Sequence, residues 1–217
     1  LLDAGADVET TTNKGYTPLM AEAPEAGPEV IRILINAGAN INASNKEGYT
    51  PLILAAEYNS QEAIRMLINA GANIDAYDRE GYTPLMIAAD VDKPEIIRIL
   101  IKAKANVTLH TKKGHTALTT AAQHASPEAI QILVDAGADV NAVIARGFTA
   151  LMIAASKGKT ENMKTLIEAG SNIQSTEPKD GYNPLMLAIT RGPTESLIDS
   201  VQILLKAGAD ANFTSKY

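Results

Sequence analysis

The sequence contains no cysteine in its 217 residues, which excludes disulfide bonds and thiolate metal sites. Long apolar runs are missing as well, because the longest are stretches such as "LMIAA" and "ILI". A helix that spans a bilayer needs about 20 apolar residues, so the sequence predicts no transmembrane segment.

Catalytic motifs are also missing. The three histidines form no HExxH pattern, and the chain carries neither a GxSxG nucleophile turn nor a glycine-rich phosphate-binding loop. We therefore predict a non-enzymatic protein with no cofactor, no metal and no small-molecule substrate.

Charge narrows the range of partners. A net charge of -6 and a pI near 5.1 argue against a general affinity for nucleic acid or for an anionic membrane. Hydrophobic residues make up 46% of the chain and charged residues 20%, so enough apolar surface is present to form a core.

One short phrase occurs six times along the chain. It is written "GYTPLM" at residues 15–20, and its copies open at glycines spaced by 33, 33, 33, 33 and 34 residues. These opening glycines are Gly15, Gly48, Gly81, Gly114, Gly147 and Gly181. A fixed period of this length is the signature of a tandem repeat array. We predict a single domain made of a partial repeat, 1–14, and the repeats 15–47, 48–80, 81–113, 114–146, 147–180 and 181–217.

Each repeat predicts two short helices. In the third repeat, Thr83 is placed as an N-cap and Pro84 fits the first helical turn. After a break, Pro94 and Glu95 begin a second helix, where the positive end of the helix dipole favours the acid. The glycine of "AGA" ends this helix in a left-handed conformation. Lys104 replaces that glycine in one repeat, at a cost of about 1 kcal/mol.

Helices of about ten residues are marginal alone in water, because helix nucleation is unfavourable. Two leucine columns recur through the array and predict that neighbouring copies stack and bury them in one core. The first-helix column is Leu19, Leu52, Leu85, Leu118, Leu151 and Leu185, and the second-helix column is Leu34, Leu67, Leu100, Leu133, Leu166 and Leu204.

The period of 33, the "TPL" phrase followed by "AA", and "AGADVNA" at residues 136–142 resemble the ankyrin repeat, whose signature is T-P-L-H-x-A. The resemblance covers essentially the whole chain. It implies an all-α solenoid of stacked helix-turn-helix units with projecting hairpin loops, and an intracellular module for protein–protein interaction. In one departure, Met20, Ile53, Met86, Thr119, Met152 and Met186 replace the signature histidine, so we expect apolar packing to replace its hydrogen bonds.

The array has further irregularities. The glycine that the resemblance implies between the two helices survives only as Gly158 and Gly192. Four residues are inserted within "RGPTESLIDS" in the last repeat, which we interpret as a tolerated surface loop, with a specific contact loop as the alternative. Both ends, Leu1 and Tyr217, fall inside a repeat, so we expect the sequence to be a segment of a longer protein.

Two sets of polar residues resemble catalytic or metal sites. One is a column of carboxylates at the start of the second helices, consisting of Glu29, Glu62, Glu95, Glu128 and Glu161. A basic residue follows four of them three positions later, at Arg32, Arg65, Arg98 and Lys164, so we expect exposed ion pairs and not acid–base catalysis. The other is His110 with His115 across the hairpin "TKKG". Without nearby carboxylates, an ordinary surface pair is favoured over a metal site.

An aromatic column directly follows the opening glycines and consists of Tyr16, Tyr49, Tyr82, His115, Phe148 and Tyr182. Two interpretations are open, contact with a partner or packing against the adjacent hairpin. The resemblance also implies partner contacts at the hairpins and at the exposed ends of the first helices. The candidates there are Tyr58, Tyr77, Arg79, His110, Lys112, Lys113, His124 and Arg146.

A basic cluster stands out in this acidic chain. The cluster consists of Lys102, Lys104, His110, Lys112, Lys113 and His115, within fourteen residues that contain no Asp or Glu. A patch for an acidic partner surface and drift in one copy of a redundant array are the two explanations.

The combined prediction is a non-enzymatic protein-binding module that presents a rigid concave surface of hairpin tips and first helices. One alternative is a regulatory or targeting arm of a larger protein, such as an effector or an enzyme. The other is a structural spacer.

Overall fold

The computed structural model describes residues 7–25 and 27–212, and Leu1 and Tyr217 lie outside that part. The chain divides into two compact units, Leu1–Asn106 and Val107–Tyr217, called here the first and the second unit. The first unit contains α1 (Pro18–Glu25), α2 (Pro28–Asn36), α3 (Pro51–Glu57), α4 (Gln61–Asn69), α5 (Pro84–Asp90) and α6 (Pro94–Lys102). The second contains α7 (Ala117–His124), α8 (Pro127–Asp135), α9 (Ala150–Ser156), α10 (Thr160–Glu168), α11 (Pro184–Arg191) and α12 (Leu197–Lys206).

The first helix of each repeat begins where the sequence predicts. Thr83 has an extended backbone, and its hydroxyl accepts a hydrogen bond from the backbone N–H of Met86 at 3.4 Å. Pro84 follows as the first helical residue, where a missing N–H leaves no hydrogen bond unmade. In the last repeat Asn183 replaces the threonine and caps α11 in the same way, so the N-cap prediction is confirmed.

Helices stack within each unit. In the first unit α3 packs between α1 and α5, and α4 packs between α2 and α6. In the second unit α9 packs between α7 and α11, and α10 packs between α8 and α12. Every member of both leucine columns is buried, and full burial of a leucine side chain stabilises by about 1.5–3 kcal/mol. Among the residues that replace the family histidine, only Met186 is partly exposed. Apolar packing takes the place of the histidine except at Thr119, whose hydroxyl hydrogen-bonds with the backbone of Thr116.

Left-handed residues close several of the turns. Gly38, Gly71 and Gly137 follow second helices with positive φ, and Lys104 does so with φ of 73°, which confirms the conformation predicted for it. Between the paired helices, Asn59 (φ 63°) adopts the conformation that Gly158 (φ 63°) has in its own repeat. Asparagine tolerates this region better than most residues, so the turn survives without glycine.

The insertion in the last repeat is packed and not free. It forms a short 3-10 helix, Thr194–Ser196, ahead of α12. A Cβ added to Gly158 would lie 1.9 Å from Ser196 Oγ and 2.6 Å from Pro193 Cγ. The inserted segment therefore rests against the loop of the preceding repeat, at a position where only glycine leaves room.

The described residues confirm the predicted fold class in each unit. All regular structure there is helical, and the hairpins contain only one isolated antiparallel bridge, between His110 and Thr116. None of the helices described is both long enough and apolar enough to cross a membrane. The single domain with its repeat boundaries stays a prediction.

Candidate functional site

A polar side chain, called here a brace, accepts hydrogen bonds from the backbone of each hairpin turn in the first unit. The brace of the first turn is the exposed Thr12, whose Oγ1 accepts from the N–H of Tyr16 at 3.1 Å. Asp78 Oδ1 accepts hydrogen bonds from the backbone N–H groups of Glu80 and Tyr82, at 2.9 and 2.8 Å. Asn45 makes the equivalent pair one repeat earlier, at 3.0 and 2.9 Å. Both side chains are less than 10% exposed, so the acceptor is protected from water and fixes the arm on which the aromatic residue stands.

Neighbouring hairpins are joined through their backbones. In the first unit the N–H of Arg79 donates to the carbonyl oxygen of Glu47 at 2.9 Å. In the second unit the N–H of Ala145 donates to the carbonyl oxygen of Lys113 at 3.0 Å. These bonds lie at the tips, where the side chains are exposed, so the tips are ordered by the adjacent repeat as well as by their own turn.

Braces in the second unit are less uniform. Thr111 is 2% exposed, and its Oγ1 accepts from the N–H of His115 at 3.1 Å. Ile144 occupies the next brace position and has no side-chain acceptor, although its own N–H still donates to the carbonyl oxygen of Phe148 at 3.0 Å. The backbone turn therefore persists without the brace.

Glu177 braces the last hairpin, which is one residue longer. Its carboxylate is 2% exposed and accepts from the backbone N–H groups of Lys179 at 2.7 Å, Asp180 at 2.8 Å and Tyr182 at 3.0 Å. Burial by itself raises the pKa of Glu177. The three backbone donors and the nearby Arg191 outweigh burial and hold that pKa below its usual value.

Members of the aromatic column are all half-buried, and each keeps part of its surface in water. The pKa values of the Tyr49 and Tyr82 hydroxyls are raised, first by burial and then by nearby carboxylates such as that of Asp78. Half-burial is what either packing against a hairpin or contact with a partner requires. The role of the column stays a prediction.

Arg191 joins two members of the column, and sequence analysis missed it. Its guanidinium carbon lies 5.7 Å from the ring centroid of Phe148 and 5.6 Å from that of Tyr182, within the range of cation–π attraction. Arg191 Nη2 also lies 3.6 Å from Asp180 Oδ2. Its position in the repeat could have identified it, because Arg191 follows its opening glycine by as many residues as the predicted contact residue Tyr58 does.

Comparison with known families agrees with this architecture. The sequence profile of ankyrin repeats matches the chain in three copies, over residues 1–78, 70–144 and 140–215. The chain belongs to the ankyrin repeat family. No curated protein matches it. Ankyrin repeats are in general modules for protein–protein interaction.

Several predicted contact residues of this ankyrin array are open to solvent. In the first unit Tyr58 is 62% and Tyr77 is 68% exposed, which is unusual for large apolar rings in this structure. The other exposed candidates are Arg79, His110, Lys112, Lys113, His124 and Arg146. The predicted basic cluster is divided, because Lys102 and Lys104 belong to the first unit and its remaining members to the second.

The two hairpin histidines differ in their surroundings. His110 is exposed, and its Nδ1 lies 3.1 Å from the carbonyl oxygen of Thr111. His115 is half-buried, and its pKa is lowered by burial and then by the charge of Lys113. Within residues 7–25 and 27–212, no three His, Asp or Glu side chains come together in a way that could hold a metal ion.

Carboxylates of the second helices behave as surface groups, with one correction. Glu29 pairs with Arg32 at 2.5 Å, and an equivalent pair joins Glu161 and Lys164 at 2.7 Å. Glu95 and Arg98 also pair. The predicted pair between Glu62 and Arg65 is wrong, because Arg65 instead approaches the side-chain oxygen of Gln61, at 3.5 Å. Pairs this exposed contribute little to stability.

Proposed function

We propose that this ankyrin array binds a protein partner, without catalysis, through its hairpins and the exposed ends of its first helices. The observation that carries the proposal is a pair of largely exposed tyrosines in the first unit, Tyr77 next to the braced turn at Asp78 and Tyr58 at the end of α3. Tyrosine supplies contact area and a polar hydroxyl at a small cost in side-chain entropy, and it is enriched where binding energy concentrates.

Order in the free protein supports the proposal. The brace at Asp78 and the bond from Arg79 to Glu47 hold the hairpin backbone before any partner arrives. Fixing one residue's backbone costs about 1–2 kcal/mol, so a surface ordered in advance loses less on association. The aromatic column then adds half-buried rings, Tyr49 and Tyr82, on the arms of the same hairpins.

An affinity-capture experiment tests the proposal. The immobilised chain is compared with a double variant, Tyr58→Ala with Tyr77→Ala, and with a matched control on the exposed side of α4, Glu62→Ala with Arg65→Ala. Proteins captured by the wild type are then titrated as purified partners. Loss of an aromatic contact of about 2 kcal/mol weakens binding about 30-fold, and we expect that loss for the tyrosine variant alone.

Equal affinity of a purified partner for the wild type and for the tyrosine variant would contradict the proposal for these residues. If nothing binds any of the three proteins saturably, the spacer interpretation stands instead. Thermal unfolding of each variant checks that the exposed substitutions leave the fold intact.

A further inference from the structure

Three hairpin tips of the second unit lie side by side. The N–H of Ala145 bonds to the carbonyl oxygen of Lys113, which joins the first tip to the second. A Cβ added to Gly147 would lie only 2.2 Å from Pro178 Cδ, which places the second tip against the third. Stacked helices are about 8–10 Å apart, so the three tips extend over roughly 20 Å.

This row of tips carries four exposed cations and one partly exposed acid, Asp180. Lys112, Lys113, Arg146 and Lys179 are exposed, and in the part of the chain that the structure describes none of them forms an ion pair. The nearby acid Glu177 is 2% exposed, and three backbone N–H groups occupy its oxygens. Asp180 lies 3.6 Å from Arg191, so among the described residues no carboxylate pairs with the four exposed cations, in a protein whose net charge is -6.

A notch in the surface lies beside the third tip, within this positively charged row. It is lined by Arg146, Phe148, Glu177, Pro178, Lys179, Asp180 and Arg191. The guanidinium of Arg191 lies over the ring of Phe148, and the carboxylate of Asp180 is 3.6 Å from its Nη2, which is beyond hydrogen-bond distance. The N–H groups of Arg191 are therefore oriented and remain open to a ligand. A planar guanidinium held in this way suits a carboxylate, which it can bind through two parallel hydrogen bonds.

We infer that the second unit binds an extended acidic segment of a protein partner along this row of tips, with one carboxylate side chain in the notch. The inference rests on the proposed function, because it takes the partner to be a protein. An extended chain advances about 3.3 Å per residue, so six or seven residues cover the row. Residues three positions apart in such a chain are about 10 Å apart, so acidic residues at that spacing match the spacing of successive tips.

A polyanion of another class fits less well. Nucleic acid carries charge over a longer reach, and the acidic surface of the rest of this chain repels it. A short acidic peptide meets only the local cations. Its affinity falls with added salt, because exposed charges are screened beyond about 10 Å at 0.1 M ionic strength.

The test uses a fluorescein-labelled octaglutamate peptide and fluorescence anisotropy at low ionic strength, with a neutral glycine-serine octapeptide as the peptide control. Two variants reverse the row, K112E/K113E and R146E/K179E. A third, K46E/R79E, makes the same change in net charge at the tips of the first unit. We expect saturable binding of octaglutamate by the wild type, a loss of about tenfold or more in each row variant, and less than about threefold in the control variant.

The notch is tested separately with Arg191→Lys, which keeps the charge and removes the planar fork. A several-fold loss of octaglutamate affinity is expected there, with an unchanged melting temperature. If a charge reversal lowers the folded fraction, the neutral K112Q/K113Q variant replaces it, with an intermediate loss expected.

Three results would overturn the inference. They are no saturable binding of octaglutamate by the wild type, equal losses in the row and control variants, and tighter binding of a single-stranded oligonucleotide of equal length. If octaglutamate fails while the tyrosine-dependent partner still binds, only the acidic segment is lost and the proposed function stands.

Discussion

The hairpins of the two units follow the same backbone path but are held by different side chains. In the first unit every described hairpin has a side-chain acceptor, which is a hydroxyl at Thr12, an amide at Asn45 and a carboxylate at Asp78. In the second it is a hydroxyl at Thr111, nothing at Ile144, and a longer carboxylate at Glu177. The brace therefore accepts from none to three backbone N–H groups, while the opening glycine is present in every hairpin.

The largest expected effect tests how closely adjacent hairpins approach. Gly114 has φ of 80°, and an added Cβ would lie 2.9 Å from the backbone nitrogen of Ala145. Gly137 has a similar φ of 89° but faces open space. We expect Gly114→Ala to lower the free energy of unfolding by about 3 kcal/mol and Gly137→Ala by about 1 kcal/mol, since only the first adds a clash to the backbone strain. Urea denaturation measures both, and equal losses would mean that the hairpins do not press together.

The second largest effect is expected when a brace is removed. Asp78→Ile copies the arrangement at Ile144 into the first unit and leaves two backbone N–H groups without their acceptor. We expect a loss of about 2 kcal/mol in the free energy of unfolding, because a buried donor without a partner costs its desolvation. Urea denaturation is again the measurement. A loss below about 0.5 kcal/mol would show that the brace is dispensable in both units.

The carboxylate brace Glu177 makes the free energy of unfolding depend on pH. Because the folded pKa of Glu177 lies below its usual value, its charged form stabilises the fold above the unfolded pKa, and that contribution is lost as the pH falls through the folded value. We expect Glu177→Gln to be about 1.5 kcal/mol less stable at pH 7, and the difference to disappear once the wild-type carboxyl is protonated in acid. A difference that is constant between pH 7 and pH 3 would show that the charge plays no part.

The smallest expected effect is an increase in the free energy of unfolding. Ile144→Asp restores an acceptor where the backbone bond to Phe148 already sets the turn. We expect a rise of about 1 kcal/mol in the free energy of unfolding. Ile144→Val is the matched control, since it changes the side chain without supplying an acceptor. A gain in the control as large as in the aspartate variant would assign the effect to size alone.

Repetition made most of the fold predictable. A period of 33 identified the units, and the recurrence of Thr83, Pro84 and Leu85 fixed where a helix starts and which side it buries. Reading the repeats by what they share also hid the residues that differ between copies. Arg191 stands in a column of dissimilar residues, and its contacts with two aromatic rings depend on how α11 is placed beside the preceding hairpin.

Surface pairing was the least predictable feature. Arg65 has two acceptors within reach on its own helix, Gln61 and Glu62, and exposed side chains choose between such partners by small differences in free energy. Half-burial of the aromatic column also follows from the spacing of hairpins in three dimensions, which no single-repeat pattern contains.

The central claim is that the hairpin tips are ordered by the neighbouring repeat before any partner binds. Hydrogen exchange of the Arg79 amide tests it most directly, because that group lies at an exposed tip and its acceptor is the carbonyl oxygen of Glu47 in the adjacent hairpin. In the free protein we expect this amide to exchange at least about a hundredfold more slowly than in an unstructured peptide. Exchange at the rate of an unstructured peptide would contradict the account.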